Sequence, residues 1–170
     1  ISTFSESLNA PVISTTNARD ILGNHPLHIP ASPSLFSVRK TIEESDLVIA
    51  IGTEMGSTDF DFYENHLFPK IKNLIRVDID KNQFSETSSV VINLQYDSKI
   101  FCSEFLKLIE ISPSSEGELI VSKTMRAVKK EIPKDYSNYH KLIHSIAKVL
   151  PNAIIVGDST QITYAGNFFC

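Results

Sequence analysis

The chain has 170 residues, 42% hydrophobic and 21% charged, with a formal net charge of −4. This is the make-up of a water-facing globule, long enough for one domain or for one domain and a piece of another. The acidic balance gives no support to a nucleic-acid partner, and no apolar run approaches the roughly 20 residues of a membrane span.

The opening ISTFSESLNAP lacks the basic and apolar blocks of a signal peptide. Ser2 to Leu8 suits a short helix, and the β-branched Pro11 to Thr16 reads as a strand. Asn17 to Pro33, punctuated by Gly23, Pro26, Pro30 and Pro33, reads as an irregular loop, with His25 and His28 as surface residues on it. Ser34 to Glu44 carries Leu35, Val38 and Ile42 on one helical face. Asp46 to Ile51 (DLVIAI) is then apolar without alternation, the mark of a strand covered on both faces in a parallel sheet.

The loop after it runs from Gly52 to Asp61, and a short helix is expected from Asp61 to Phe68, stopped by Pro69. Asn73 to Asp80 is the next strand; Arg76, Asp78 and Asp80 interrupt it and predict that one end is exposed. Val90 to Leu94 is a further strand. Asp97 or Ser98 can cap a helix reaching about Ile111, with Phe101, Phe105 and Leu108 at helical spacing. Cys102 falls in that pattern as a buried thiol. With Cys170 it makes no disulfide framework, which fits a reducing cytoplasm, the expected location.

Ser112 to Glu118 (SPSSEGE) reads as a linker. Val121, Met125, Val128 and Ile132 predict an amphipathic helix ended by Pro133, and Tyr139 to Leu150 predicts another. Ala153 to Gly157 (AIIVG) reads as a last apolar strand, Asp158 to Gln161 as its carboxyl-end loop, and the final residues as the start of a helix. The alternation makes the class α/β with a mostly parallel sheet.

Ligands in such sheets gather at the carboxyl ends of strands. Gly52 and Gly56 allow close backbone approach there, but the loop has neither a dinucleotide nor a P-loop fingerprint, and a tight turn remains the alternative. Asp78 stands where a carboxylate accepts ribose hydroxyls, or where a solvated strand end turns. Gly157 to Gln161 (GDSTQ) offers amides, hydroxyls and a helix N-terminus that suit a phosphate, and equally suit an N-cap. His140 and His144 are four apart on a helix; no third ligand is evident, so they read as a solvated face and no metal site is assigned. No nucleophile or acid–base pair stands out, so no catalytic residue is assigned.

Three ordered stretches, LNAPVISTTNARDILGNHPL, DLVIAIGTEMGSTDFDFY with LIRVDIDKNQF, and PNAIIVGDSTQITYAGN, resemble the thiamine-diphosphate enzymes that act on 2-oxo acids, such as acetolactate synthase and benzoylformate decarboxylase. The resemblance implies a Rossmann-like three-layer sandwich for residues 1–111, incomplete because its first strand is missing. It further implies a linker and helix at 112–138 and the start of the diphosphate-binding domain at 139–170. Asp158, Ser159, Thr160 and Gln161 then inherit contact with the cofactor diphosphate, and Gly52 and Asp78 a nucleotide rim. Thiamine diphosphate and Mg²⁺ are the implied cofactors, a 2-oxo acid the substrate, and a homo-oligomer (dimer or tetramer) the assembly.

The pyrimidine-domain glutamate and the GDG…N magnesium motif do not occur, so the chain is expected to be an inactive fragment of a lyase or transferase. The loop GTEMGSTDFD departs from the Arg-containing loop of FAD-binding relatives, which disfavours FAD. The alternatives are a stand-alone module for FAD, NAD or ADP and a structural domain bridging subunits.

Overall fold

The computed structural model describes residues 1–56, 59, 68–84, 90–108 and 116–169. Among them are six helices: α1 (Ser2–Leu8), α2 (Phe36–Glu44), α3 (Ser98–Leu108), α4 (Gly117–Glu131), α5 (Lys134–Val149) and α6 (Gln161–Phe169). Five strands join them: β1 (Val12–Ile13), β2 (His28–Ile29), β3 (Val48–Ile51), β4 (Leu74–Asp78) and β5 (Val90–Gln95). The class is α/β and every strand pair is parallel, in two small sheets: β1 with β2, and β3-β4-β5 in that order.

The apolar run of β3 is covered on both sides. Val48 and Ala50, with Leu74 of β4, pack against Ile42 of α2. The alternate residues Ile49, Ile51, Ile75 and Val77 face Phe4 of α1 and Phe101 and Cys102 of α3. Side chains alternate across a strand, so this division makes three layers, with α2 on one face and α1 and α3 on the other. Phe4, Phe101 and Phe105 meet with ring centroids 5.3–5.9 Å apart, joining α1 to α3 beneath the sheet.

A separate core lies around β2. Ile29, Ala31 and Val38 are buried with Val121 and Val128 of α4 and Phe169 of α6. The apolar stripe read on α4 is therefore the face it lays on α2, where Thr41 and Thr124 also share a hydrogen bond of 2.8 Å. Glu131, at the end of α4, accepts from the backbone N–H of Phe36 (3.0 Å) and of Ser37 (2.8 Å) and from the Ser37 hydroxyl. It caps a helix that has no capping side chain of its own.

Several expectations need correcting. Ala153 to Gly157 is not a strand: Ile154 is 90% and Val156 89% exposed, and no strand pairs with them among the described residues. β-branched residues favour extended backbone but do not make a ladder without a neighbour to bond to. Gly117, assigned to the linker, is buried at the start of α4, and a Cβ there would collide with the backbone of Asn9 and with Leu27. α5 begins five residues before the expected Tyr139, directly after Pro133, whose fixed φ suits a helix entry. Of the short helix expected at Asp61 to Phe68, all but Phe68 lies outside the described residues, as does the linker through Ser115.

Candidate functional site

Two polar rims follow from this arrangement. The first lies at the carboxyl ends of β3, β4 and β5. Gly52 leaves β3 at φ +60° while its N–H donates to the Val77 carbonyl at 2.8 Å. That left-handed conformation favours glycine, and a Cβ there would lie 3.2 Å from the Ser98 hydroxyl at the start of α3.

Arg76 supports the same loop from below. It is 2% exposed on β4, and its Nη2 donates to the Thr53 carbonyl at 3.1 Å. Burial pulls its pKa below the ordinary value while Asp78 opposes that shift; a guanidinium starting so high remains charged. The strand end expected to be exposed is exposed at Ile79 and Asp80, whereas Arg76 and Asp78, read as part of the same signal, are buried. The sequence signal was an arginine inside an apolar strand, a buried cation that needs acceptors, here in part the loop carbonyls of Thr53 and Glu54.

Asp78 Oδ1 accepts from the N–H of Asp80 at 2.9 Å, and Asp80 Oδ1 accepts from the N–H of Asn82 at 2.9 Å. Each carboxylate thus uses one oxygen to fix its own turn. At the end of β5, Asp97 accepts from the N–H groups of Lys99 (2.9 Å) and Ile100 (3.1 Å), which is the N-cap anticipated for α3.

The second rim is Asp158 to Gln161, exposed at the entry to α6. Asp158 Oδ1 accepts from the Ser159 N–H at 2.7 Å, and the Ser159 hydroxyl lies 2.8 Å from the Tyr164 hydroxyl. Thr160 Oγ1 is 3.2 Å from Thr163 Oγ1, and Gln161 accepts from the Tyr136 hydroxyl at 2.7 Å. Gly157 lies so close to the Thr163 side chain that a Cβ would collide with it, so the loop folds tightly over the first turn of α6. Hydroxyls and first-turn N–H groups suit phosphate oxygens. Asp158 is acceptor-only, so it faces an anion only with a cation between them. On donor chemistry this loop fits a diphosphate with a divalent metal. The structure therefore keeps Gly52 and Asp78 on one rim and Asp158 to Gln161 on the other.

The histidines differ from one another. His28 is not a surface residue: it is 4% exposed, with Nδ1 2.8 Å from the Gly23 carbonyl and Nε2 2.9 Å from the Ser14 hydroxyl. His25 pairs with Glu6 at 2.9 Å on the surface. His140 and His144 point their Nε2 atoms at one another, 3.0 Å apart, on α5. No group of three or more His, Cys, Asp or Glu converges as a metal site among the described residues. No helix among them is long and apolar enough to cross a membrane.

An open parallel sheet with helices on both faces defines a Rossmann-like α/β domain. Residues 1–105 match the family model described as thiamine pyrophosphate enzyme, central domain, and the chain belongs to that family. Over an alignment of 172 positions it is 29% identical to the probable 2-ketoarginine decarboxylase AruI of Pseudomonas aeruginosa. That alignment takes in 99% of this chain and 30% of the relative, so the chain spans about a third of the length of the curated protein it matches.

Proposed function

We propose that this chain is the central domain (1–111), with a linker and helix (112–138) and the first elements of the diphosphate-binding domain (139–170), of a thiamine diphosphate-dependent enzyme acting on a 2-oxo acid. The observation that carries the reading is the similarity to AruI, which continues past residue 105, where the family match stops, to the far end of the chain. Bound thiamine diphosphate supplies an electron sink for the pair left when a 2-oxo acid loses carbon dioxide. The work of this chain is positioning. Ser159, Thr160 and the first-turn N–H groups of α6 would hold diphosphate oxygens, Asp158 could meet them only through an accompanying cation such as Mg²⁺, and Gln161 is braced by Tyr136. The chain carries no catalytic residue and is inactive alone; the whole enzyme is a cytoplasmic homo-oligomer. Decarboxylation is favoured over carboligation because the aligned relative is named a decarboxylase.

The test is carbon dioxide release by the gene product carrying this sequence, from 2-ketoarginine, pyruvate and longer 2-oxo acids, with and without thiamine diphosphate and Mg²⁺. Cofactor-dependent release is expected, and Ser159→Ala with Thr160→Ala should weaken cofactor binding at least tenfold. No cofactor-dependent turnover across the panel overturns the reading. A second reading, a nucleotide-binding rim, draws on Gly52 at φ +60° beside Ser98 and on the buried Asp78. Calorimetry of the chain with ADP, NAD and FAD separates the two, FAD being the least favoured ligand.

A further inference from the structure

The proposed thiamine chemistry leaves His140 and His144 without a task. They stand one helical turn apart on α5, so their side chains share a face. Their rings meet edge to face, with centroids 4.2 Å apart and planes at 78°, and their Nε2 atoms are 3.0 Å apart. Two neutral imidazoles hold that contact only if one Nε2 carries a proton and the other offers its lone pair. The geometry points to a two-nitrogen chelate for a borderline divalent transition metal (Zn²⁺, Ni²⁺ or Cu²⁺) at the His140–His144 Nε2 pair.

The distances carry the assignment. Zinc–nitrogen bonds of about 2.0–2.1 Å at a tetrahedral angle place two ligand nitrogens about 3.3 Å apart. Neighbouring positions of a square-planar Ni²⁺ or Cu²⁺ site, with similar bond lengths, require about 2.9 Å. The observed 3.0 Å lies between these, so either geometry is met in distance once the shared proton leaves and the rings turn both Nε2 lone pairs toward one point. Imidazole nitrogen is the donor these metals take, whereas Mg²⁺ and Ca²⁺ take oxygen. Lys129, on α4, is the cation whose field a bound metal must overcome. With no third His, Cys, Asp or Glu converging among the described residues, water fills the remaining positions and the ion stays exchangeable.

The experiment is calorimetric titration of the untagged full chain with ZnCl₂, NiCl₂ and CuCl₂, with circular dichroism to confirm that each variant keeps its helices. One ion per chain is expected. His140→Ala and His144→Ala should each weaken binding at least tenfold, and so should His144→Ala combined with Ser145→His, which keeps both imidazoles but breaks the one-turn spacing. Lys129→Gln should tighten binding severalfold, and millimolar Mg²⁺ should not compete. No binding of any of the three metals, or binding of equal strength in the His140→Ala, His144→Ala double variant, overturns the proposal. Neither result bears on carbon dioxide release, so this site and the thiamine reading fail independently.

Discussion

His28 shows how a single residue acquires a role invisible in its local sequence. It sits among prolines and glycine, yet the pairing of Val12 with His28 draws its ring under the short sheet. The Gly23 carbonyl can only accept, so Nδ1 carries the proton, and Nε2 takes the Ser14 hydroxyl as a neutral acceptor. Burial lowers the pKa of His28 first and most, the Gly23 bond opposes that, and Arg19 and His25 add to the lowering. A histidine whose folded pKa lies below its unfolded value of about 6.5 stabilises fully above that pH. The contribution is lost as pH falls through the unfolded value toward the folded one, because the unfolded chain then binds the proton first. Urea midpoints measured from pH 7.5 to 5 should therefore fall for the native chain and fall less for His28→Asn. Equal slopes would show that His28 does not titrate this way.

At the scale of elements, what the sequence disclosed depended on how local the cause was. The two-faced burial of β3 follows from six consecutive apolar or strand-end residues, and the cap of α3 from one Asp ahead of a periodic run; both were readable. Gly117 was not, because its partners, Asn9 and Leu27, are remote in the chain and a Gly among serines looks like a linker wherever it folds. The cap of α2 is equally remote: Glu131 lies 94 residues from Ser37. A carboxylate on two orphan amides at a helix N-terminus combines a charged hydrogen bond with a favourable dipole interaction. Glu131→Ala should cost about 1–3 kcal/mol, read from urea denaturation, and Glu131→Gln about half as much, because the amide keeps one acceptor but not the charge. A Glu131→Ala variant as stable as the native chain would mean that water replaces the cap at no cost.

For the molecule as a whole, the segment after α5 sets the least consistent part of the structure against the most legible part of the sequence. Ala153 to Val156 has the composition of a buried strand, yet Ile154, Ile155 and Val156 are 90%, 55% and 89% exposed, and Val149 and Leu150 beside them are 75% and 56% exposed. The loop at Asp158 to Gln161, proposed to meet a diphosphate, follows this stretch, so its residues stood out in the sequence while the strand expected to carry them is not formed among the described residues. A contiguous apolar, β-branched segment that pairs with no strand among the described residues is a template for association. In this chain taken by itself, charging it should relieve association without touching the fold, because side chains exposed there lose no packing. Ile154→Lys with Val156→Lys should change unfolding free energy by no more than about 0.5 kcal/mol. The same pair should lower the fraction of oligomer seen by light scattering at high concentration. A loss above about 1.5 kcal/mol would mean instead that these side chains are buried in the chain's own fold in solution, which would restore the strand that the sequence predicts.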